Sequence, residues 1–232
     1  MSEPRERFYE ILRKGGEKEI YKAIKFFAGY NTSREDKYKR EVVFYDNDDN
    51  LLRLSKVILS TDTIGNKRKL TLERDIEDNP NKKFIKMFEK YKFVKEIDVK
   101  SEPNANLDFL GYSLTRCFTE PLTFDPDSLF KNVKPKMFVD FKCQDYKMVN
   151  AKGFKARLTV EAIVFKNVGT KRENYVDLLR IVEEPDSKYG EDYFEELNKR
   201  ITKQCKFLLE IDESIYKHSF RMTKKLEKPK EE

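Results

Sequence analysis

The segment Phe154-Lys-Ala-Arg-Leu-Thr-Val-Glu-Ala-Ile-Val-Phe165 alternates apolar and polar side chains through Glu161 and ends in an apolar run. Phe154, Ala156, Leu158, Val160, Ala162 and Val164 fall on one side; Lys155, Arg157, Thr159 and Glu161 fall on the other. A period of two sustained this long cannot wrap onto one stripe of a helix. It predicts an antiparallel strand with one face packed and one face wet. Met137, Val139, Phe141 and Cys143 repeat the pattern just upstream. A chain carrying two such strands is committed to a sheet, and the remaining segments are read against that commitment.

Further strands are expected at 39–46, 51–61, 67–74, 93–99, 107–118 and 175–182, separated by Asn/Asp-rich turns, Gly65-Asn66 and the prolines 103, 121, 126 and 185. Gly111 is expected to mark a bend or bulge. Helical spacing occurs in four places. Phe8, Ile11 and Leu12 predict a first helix capped by Gly15-Gly16, and Ile20, Ala23, Ile24 and Phe27 a second that stops at Gly29. A short helix is expected from Pro80 to Tyr91, and a longer one from about Glu191 to Phe207 carries Phe194, Leu197, Ile201 and Cys205. The run Asn31-Thr-Ser-Arg-Glu-Asp36 reads as loop, and 208–220 as extended chain. The fold class is therefore mainly β with helical decoration (α+β), a sandwich or barrel. An N-terminal helical arm is expected over 1–38, a β core with inserted helices over 39–223, and a charged tail over 224–232.

Composition narrows the function. Charged residues make up 39% of the 232, with 48 Lys+Arg against 42 Asp+Glu, and the absence of Trp is offset by 18 Phe and 12 Tyr. Aromatic bulk with charges of both signs excludes a disordered chain. No apolar run reaches the roughly 18–20 residues of a membrane span, and the first residues lack a secretory core, so neither membrane insertion nor secretion is expected. The cations are interleaved with acids, which argues for solvated or protein-contact faces and against nucleic acid as a partner. The run Lys67, Arg68, Lys69 could serve nuclear import.

The residues of most well-marked chemistries are missing. There is one histidine, His218, and no phosphate-cradling glycine loop. The groups Asp46/Asp48/Asp49 and Glu183/Glu184/Asp186 read as turn residues before metal ligands. No cofactor, metal site or catalytic residue is expected. Of the three cysteines, Cys143 and Cys205 lie on apolar faces, whereas Cys117, near a loop, is the better candidate for a bridge.

Two family resemblances follow from short motifs. Tyr21-Lys22, Asp49-Asn-Leu-Leu52, Gly65-Asn-Lys-Arg-Lys-Leu-Thr-Leu72 with Asp75-Ile76, Asp108-Phe-Leu110 before Arg116-Cys117, Arg180-Ile-Val-Glu183 with Pro185, and Tyr193-Phe-Glu-Glu-Leu197 with Arg200-Ile201 are colinear. In that order they resemble the polyhedrin family, the occlusion-body matrix proteins of baculoviruses and nudiviruses. The chain lacks that family's aromatic N-terminal arm and Trp residues, which makes it similar to the nudivirus members. The resemblance implies a jelly-roll-type β-sandwich that self-assembles into an intracellular crystal, in the nucleus of an infected cell. The crystal would embed virions and have no catalytic site. Cys117, Cys143 and Cys205 would be the candidates for intersubunit disulfides, Cys117 first. Lys supplies most of the cations, so alkali would strip them, leave like-charged subunits and dissolve the lattice.

The alternative is an enzyme. Val42-Val-Phe-Tyr-Asp46, Leu51-Leu-Arg-Leu54 and Lys69-Leu-Thr-Leu72 resemble the early strands of triphosphate-tunnel (CYTH-like) phosphohydrolases. That resemblance implies inward acids holding a divalent metal and basic residues holding phosphates. Here a helix-like segment after Pro4 stands for the family's N-terminal E-x-E-x-K strand. Glu73 occupies the place of its phosphate-binding lysine, and the late acid pair is reduced to Asp177 with Leu179. These departures imply a catalytically degenerate relative.

Overall fold

A computed structural model describes residues 5–74, 92–117, 126–188 and 190–223. Nine strands are hydrogen-bonded in the order β5-β4-β3-β2-β6-β7-β8-β1-β9. They are β1 (Glu6–Ile11), β2 (Tyr30–Asp46), β3 (Val57–Ile64), β4 (Lys67–Arg74), β5 (Lys92–Ile97), β6 (Lys134–Asn150), β7 (Lys155–Asn167), β8 (Arg172–Glu183) and β9 (Leu208–Ile211). The helices are α1 (Gly16–Lys25), α2 (Leu51–Leu54), α3 (Leu107–Cys117), α4 (Pro126–Phe130), α5 (Gly190–Gln204) and α6 (Ile215–Thr223), with a 3-10 turn at Pro103–Asn106. The mainly antiparallel α+β class is as expected. The jelly-roll sandwich is not: these strands form one sheet, and helices cover it where a second sheet would lie. Among the described residues no helix is long and apolar enough to cross a membrane.

Five segments differ from their sequence reading, each for a local reason. Glu6–Ile11 is a strand, antiparallel to both β8 and β9, with Tyr9 and Ile11 buried. Six residues are too few to separate the two periods, and strand pairing decides. Leu12, which a helical stripe would bury, is 61% exposed. Gly15-Gly16 is accordingly the turn into α1: Gly15 sits at φ 75° and Gly16 opens the helix. Leu107–Cys117 is a helix, and burial of Leu110 and Leu114 shows the i, i+4 spacing that its β-like composition hides. The polar run 31–36 belongs to β2, where pairing overrides composition. The expected 51–61 strand divides into α2 and β3, and the extended 208–220 segment into β9 and α6. The expected Pro80–Tyr91 helix and the 224–232 tail lie outside the described residues.

The chain divides into two compact units. The first comprises residues up to Lys39, Phe141–Val164 and Tyr175–Asp212. Its core places Ile20, Ile24 and Phe27, from α1 and its C-terminal end, and Phe194, Leu197 and Ile201 of α5 against one sheet face: Tyr9, Ile11, Met148, Ala156, Leu158, Leu179 and Ile181. Glu17 and Glu19 in the first turn of α1 and Lys22 and Lys25 in its last complement the helix dipole. Gly16 lets α1 approach: a Cβ there would lie 2.5 Å from Ile11 Cγ2 and 3.0 Å from Phe207 Cε2.

The second unit comprises Arg40–Asp140, Phe165–Asn174 and the residues from Glu213 on. Leu110 and Leu114 of α3 with Leu129 and Phe130 of α4 pack on Val43, Tyr45, Leu59, Leu70 and Leu72. On the other strand face α6 sets Tyr216 edge-on against Phe44 and tilts the His218 ring against Phe165, with centroids 5.1 and 5.7 Å apart.

Candidate active site: a charged strand face around Arg180

In the first unit the strand face turned away from α1 and α5 carries the charges. Alternation along β8 sends Leu179 and Ile181 to the helical core and leaves Arg180 on the opposite face, where it pairs in register with Phe8 of β1. The Arg180 Nη1 donates to Glu6 Oε1 at 3.5 Å, and its Nε lies 3.3 Å from Glu161 Oε1. Glu161 is 1% exposed. Burial opposes the charge of Arg180, but Glu161 and Glu6, with Tyr38 and Asp145 beyond them, outweigh it and raise its pKa.

β6 and β2 complete the face. The Tyr38 hydroxyl donates to Asp145 Oδ1 at 3.4 Å, and burial, then the neighbouring Cys143 and Asp145, pushes its pKa far up, so it remains a proton donor. Arg157 reaches Asp145 at 4.0 Å and donates from Nε to Glu184 Oε1 at 3.0 Å. Thr159, between Arg157 and Glu161 on the same strand face, is fully buried, and its hydroxyl has no hydrogen-bond partner. The wet face expected for β7 is therefore buried at Thr159 and Glu161, and the polarity of these residues serves an enclosed cluster. Their alternation with an apolar face was visible in sequence; their enclosure depends on long-range pairing and was not.

The other residues singled out by sequence lie elsewhere. Asp177 shares the face of Leu179 and Ile181, and burial together with Glu17 of α1 raises its pKa, so it does not join Arg180. Glu73 pairs across the β4–β5 ladder with Lys92 at 3.0 Å. Asp46 accepts backbone N–H bonds from Asn47, Leu52 and Arg53, which anchors the turn into α2, and Asp48 pairs with Lys134 and Lys136. Glu183 pairs with Arg5, and Asp186 with Lys155. Lys67 and Lys69 are exposed, whereas Arg68 is buried and donates to the carbonyls of Val99 and Ser101, to Tyr45 Oη and to Thr61 Oγ1. Cys143 and Cys205 are buried; Cys117 closes α3, with its side chain outside the described residues. The ring of His218 is buried, with Nδ1 2.7 Å from Glu213.

No protein-family model matches the chain, and no curated protein matches it in sequence. Solved structures do match. A candidate adenylate cyclase from Bacillus halodurans is 11% identical, covers 94% of this chain and 97% of its own, and superposes with a TM-score of 0.52. A candidate adenylyl cyclase from Hippeastrum with a dominant triphosphatase activity is 12% identical over 95% of each chain, TM-score 0.49. A candidate adenylate cyclase from Vibrio parahaemolyticus is 10% identical over 95% of this chain and 98% of its own, TM-score 0.41. The Bacillus halodurans likeness shows the fold. It overturns the polyhedrin resemblance, and with it the expectation of a non-enzymatic, virion-embedding lattice protein. The physical reason lies in the motifs. The colinear pieces at 49–52 and 108–117 fall on a turn into a helix and on a helix, where short charged–apolar strings recur without a shared fold.

Proposed function

We propose that this chain is a phosphohydrolase of the triphosphate-tunnel (CYTH-like) class, acting on a short phosphate chain such as inorganic triphosphate. The observation that carries the proposal is Arg180, held among polar side chains on an enclosed strand face, in a chain whose fold matches a candidate adenylate cyclase along nearly its whole length. A first strand supports this reading: Glu6-Arg7-Phe8-Tyr9-Glu10 puts Glu6, Phe8 and Glu10 on the Arg180 side, with Phe8 and Glu10 where the class's E-x-E-x-K pattern has its second acid and its lysine.

A divalent metal is the group this class implies. Among the described residues no cluster of three or more His, Cys, Asp or Glu side chains is placed to hold one. The carboxylates of the face are engaged by arginines, Glu6 and Glu161 by Arg180, Asp145 and Glu184 by Arg157. These residues do not fit a metal. What the chain itself can do is hold phosphate. Guanidinium groups match phosphate oxygens with paired donors, and phosphoryl transfer depends chiefly on positioning and charge stabilisation. Phosphate oxygens would take the place of a carboxylate at Arg180 and meet the otherwise unpartnered Thr159 hydroxyl.

Phosphate release from inorganic triphosphate, compared with ATP and pyrophosphate and run with and without Mg²⁺ or Mn²⁺, tests this reading. Turnover of one of these substrates is expected. Failure of the pure protein either to release phosphate or to bind inorganic triphosphate by calorimetry would overturn it.

A further inference from the structure

The hairpin joining β7 to β8, in the second unit, frames an open cleft of about 260 Å³. Its apolar wall is Phe138 and Val168, and its charged wall is Lys166, Lys171, Arg172 and Glu173. The tip is held rigidly. Asn167 Oδ1 accepts the Thr170 N–H at 3.0 Å, Asn167 Nδ2 donates to Thr223 Oγ1 at 3.1 Å, and the Val168 N–H donates to Lys136 O at 3.0 Å. Lys171 sits at φ 53°, a backbone conformation that side-chain-bearing residues rarely adopt and that this pinned turn imposes. Lys166 is paired with Asp140 at 2.8 Å. Counting Asp140 and Glu173, the cleft still holds one more cation than carboxylate, and Lys171 forms no ion pair among the described residues.

We propose that this cleft binds a small organic oxyanion, a carboxylate or phosphate group carried on an apolar body. The cationic wall supplies charge-assisted donors, and Phe138 and Val168 cover the apolar part. A rigid turn limits the ordering cost of binding. The site is separate from the Arg180 face and does not depend on the phosphohydrolase reading.

The test is amide chemical-shift titration of the full chain with benzoate, phenyl phosphate, inorganic phosphate and the cation benzamidine. Benzoate and phenyl phosphate are expected to shift residues 166–173 saturably, and inorganic phosphate to bind about tenfold more weakly for want of the apolar contact. Benzamidine should leave them unmoved. The double variant Lys171→Glu, Arg172→Glu, and Lys171→Gln alone, should weaken the two organic anions by about tenfold or more while the melting curve stays put. Arg180→Ala should leave the titration unchanged. Absence of saturable shifts, equal binding of benzamidine or of inorganic phosphate, or insensitivity to both Lys171 variants would overturn the proposal.

Discussion

Asp177 and Gly16 show how much single positions depend on surroundings that lie far away in sequence. The Asp177 carboxyl has a pKa above its ordinary 3.8 because it is buried and faces Glu17. A carboxyl whose pKa is raised on folding favours the folded state only while protonated, so its ionisation costs stability as pH rises through the raised value. Asp177→Asn should therefore raise the melting temperature at pH 7 and lose that advantage below about pH 3.8, as thermal melts across pH would record. At Gly16, alanine would press its Cβ on Ile11 and Phe207. Gly16→Ala should destabilise by about 1–3 kcal/mol in denaturant titrations. Neither effect is legible from composition. Asp177 reads as the remnant of an acid pair, and Gly16 as a helix terminator, until the pairing of β1 with β8 and β9 places them.

Among the elements, those with one sustained period were legible, and those with a mixed or polar pattern, such as the first half of β2 and α3, were not. β6 and β7 run 17 and 13 residues, and α5 runs 15, long enough for one period to win. β1, at six residues, supports either period, and its identity comes from partners more than 160 positions away. It is tied to α5 by a buried relay: the Tyr9 hydroxyl donates to Asn198 Oδ1 at 2.9 Å, and Asn198 Nδ2 donates to Phe194 O at 2.7 Å. Tyr9→Phe would strand the Asn198 oxygen in the core. It should cost about 1–3 kcal/mol, measured by equilibrium unfolding. Salt bridges flank the same strand, Arg5 to Glu183 at 3.0 Å and Arg7 to Glu195 at 2.7 Å, and they should contribute far less because both arginines are partly exposed.

For the whole molecule, the class read from alternation holds, α+β with mainly antiparallel strands, and the jelly-roll sandwich implied by the polyhedrin resemblance does not. Alternation specifies which residues share a strand face; it does not say whether helices or a second sheet cover that face. The same gap hid the site. Glu161 and Arg180 are each one charge among many in a chain that is 39% charged, and only strand order brings them together with Glu6. The near-cancelling charge that suggested contact surfaces between subunits is met in part within the chain, by ion pairs such as those of Arg5, Arg7, Arg157 and Arg180.

The measurement that tests the account most directly compares phosphate release by the wild-type chain, Arg180→Ala and Asp177→Asn, with calorimetric binding of inorganic triphosphate alongside. Loss of about a hundredfold in turnover and loss of binding for Arg180→Ala, with Asp177→Asn unchanged, is the predicted result. Full activity in Arg180→Ala, or loss of activity in Asp177→Asn with its fold intact, would place the chemistry on the other face of the sheet and contradict the account.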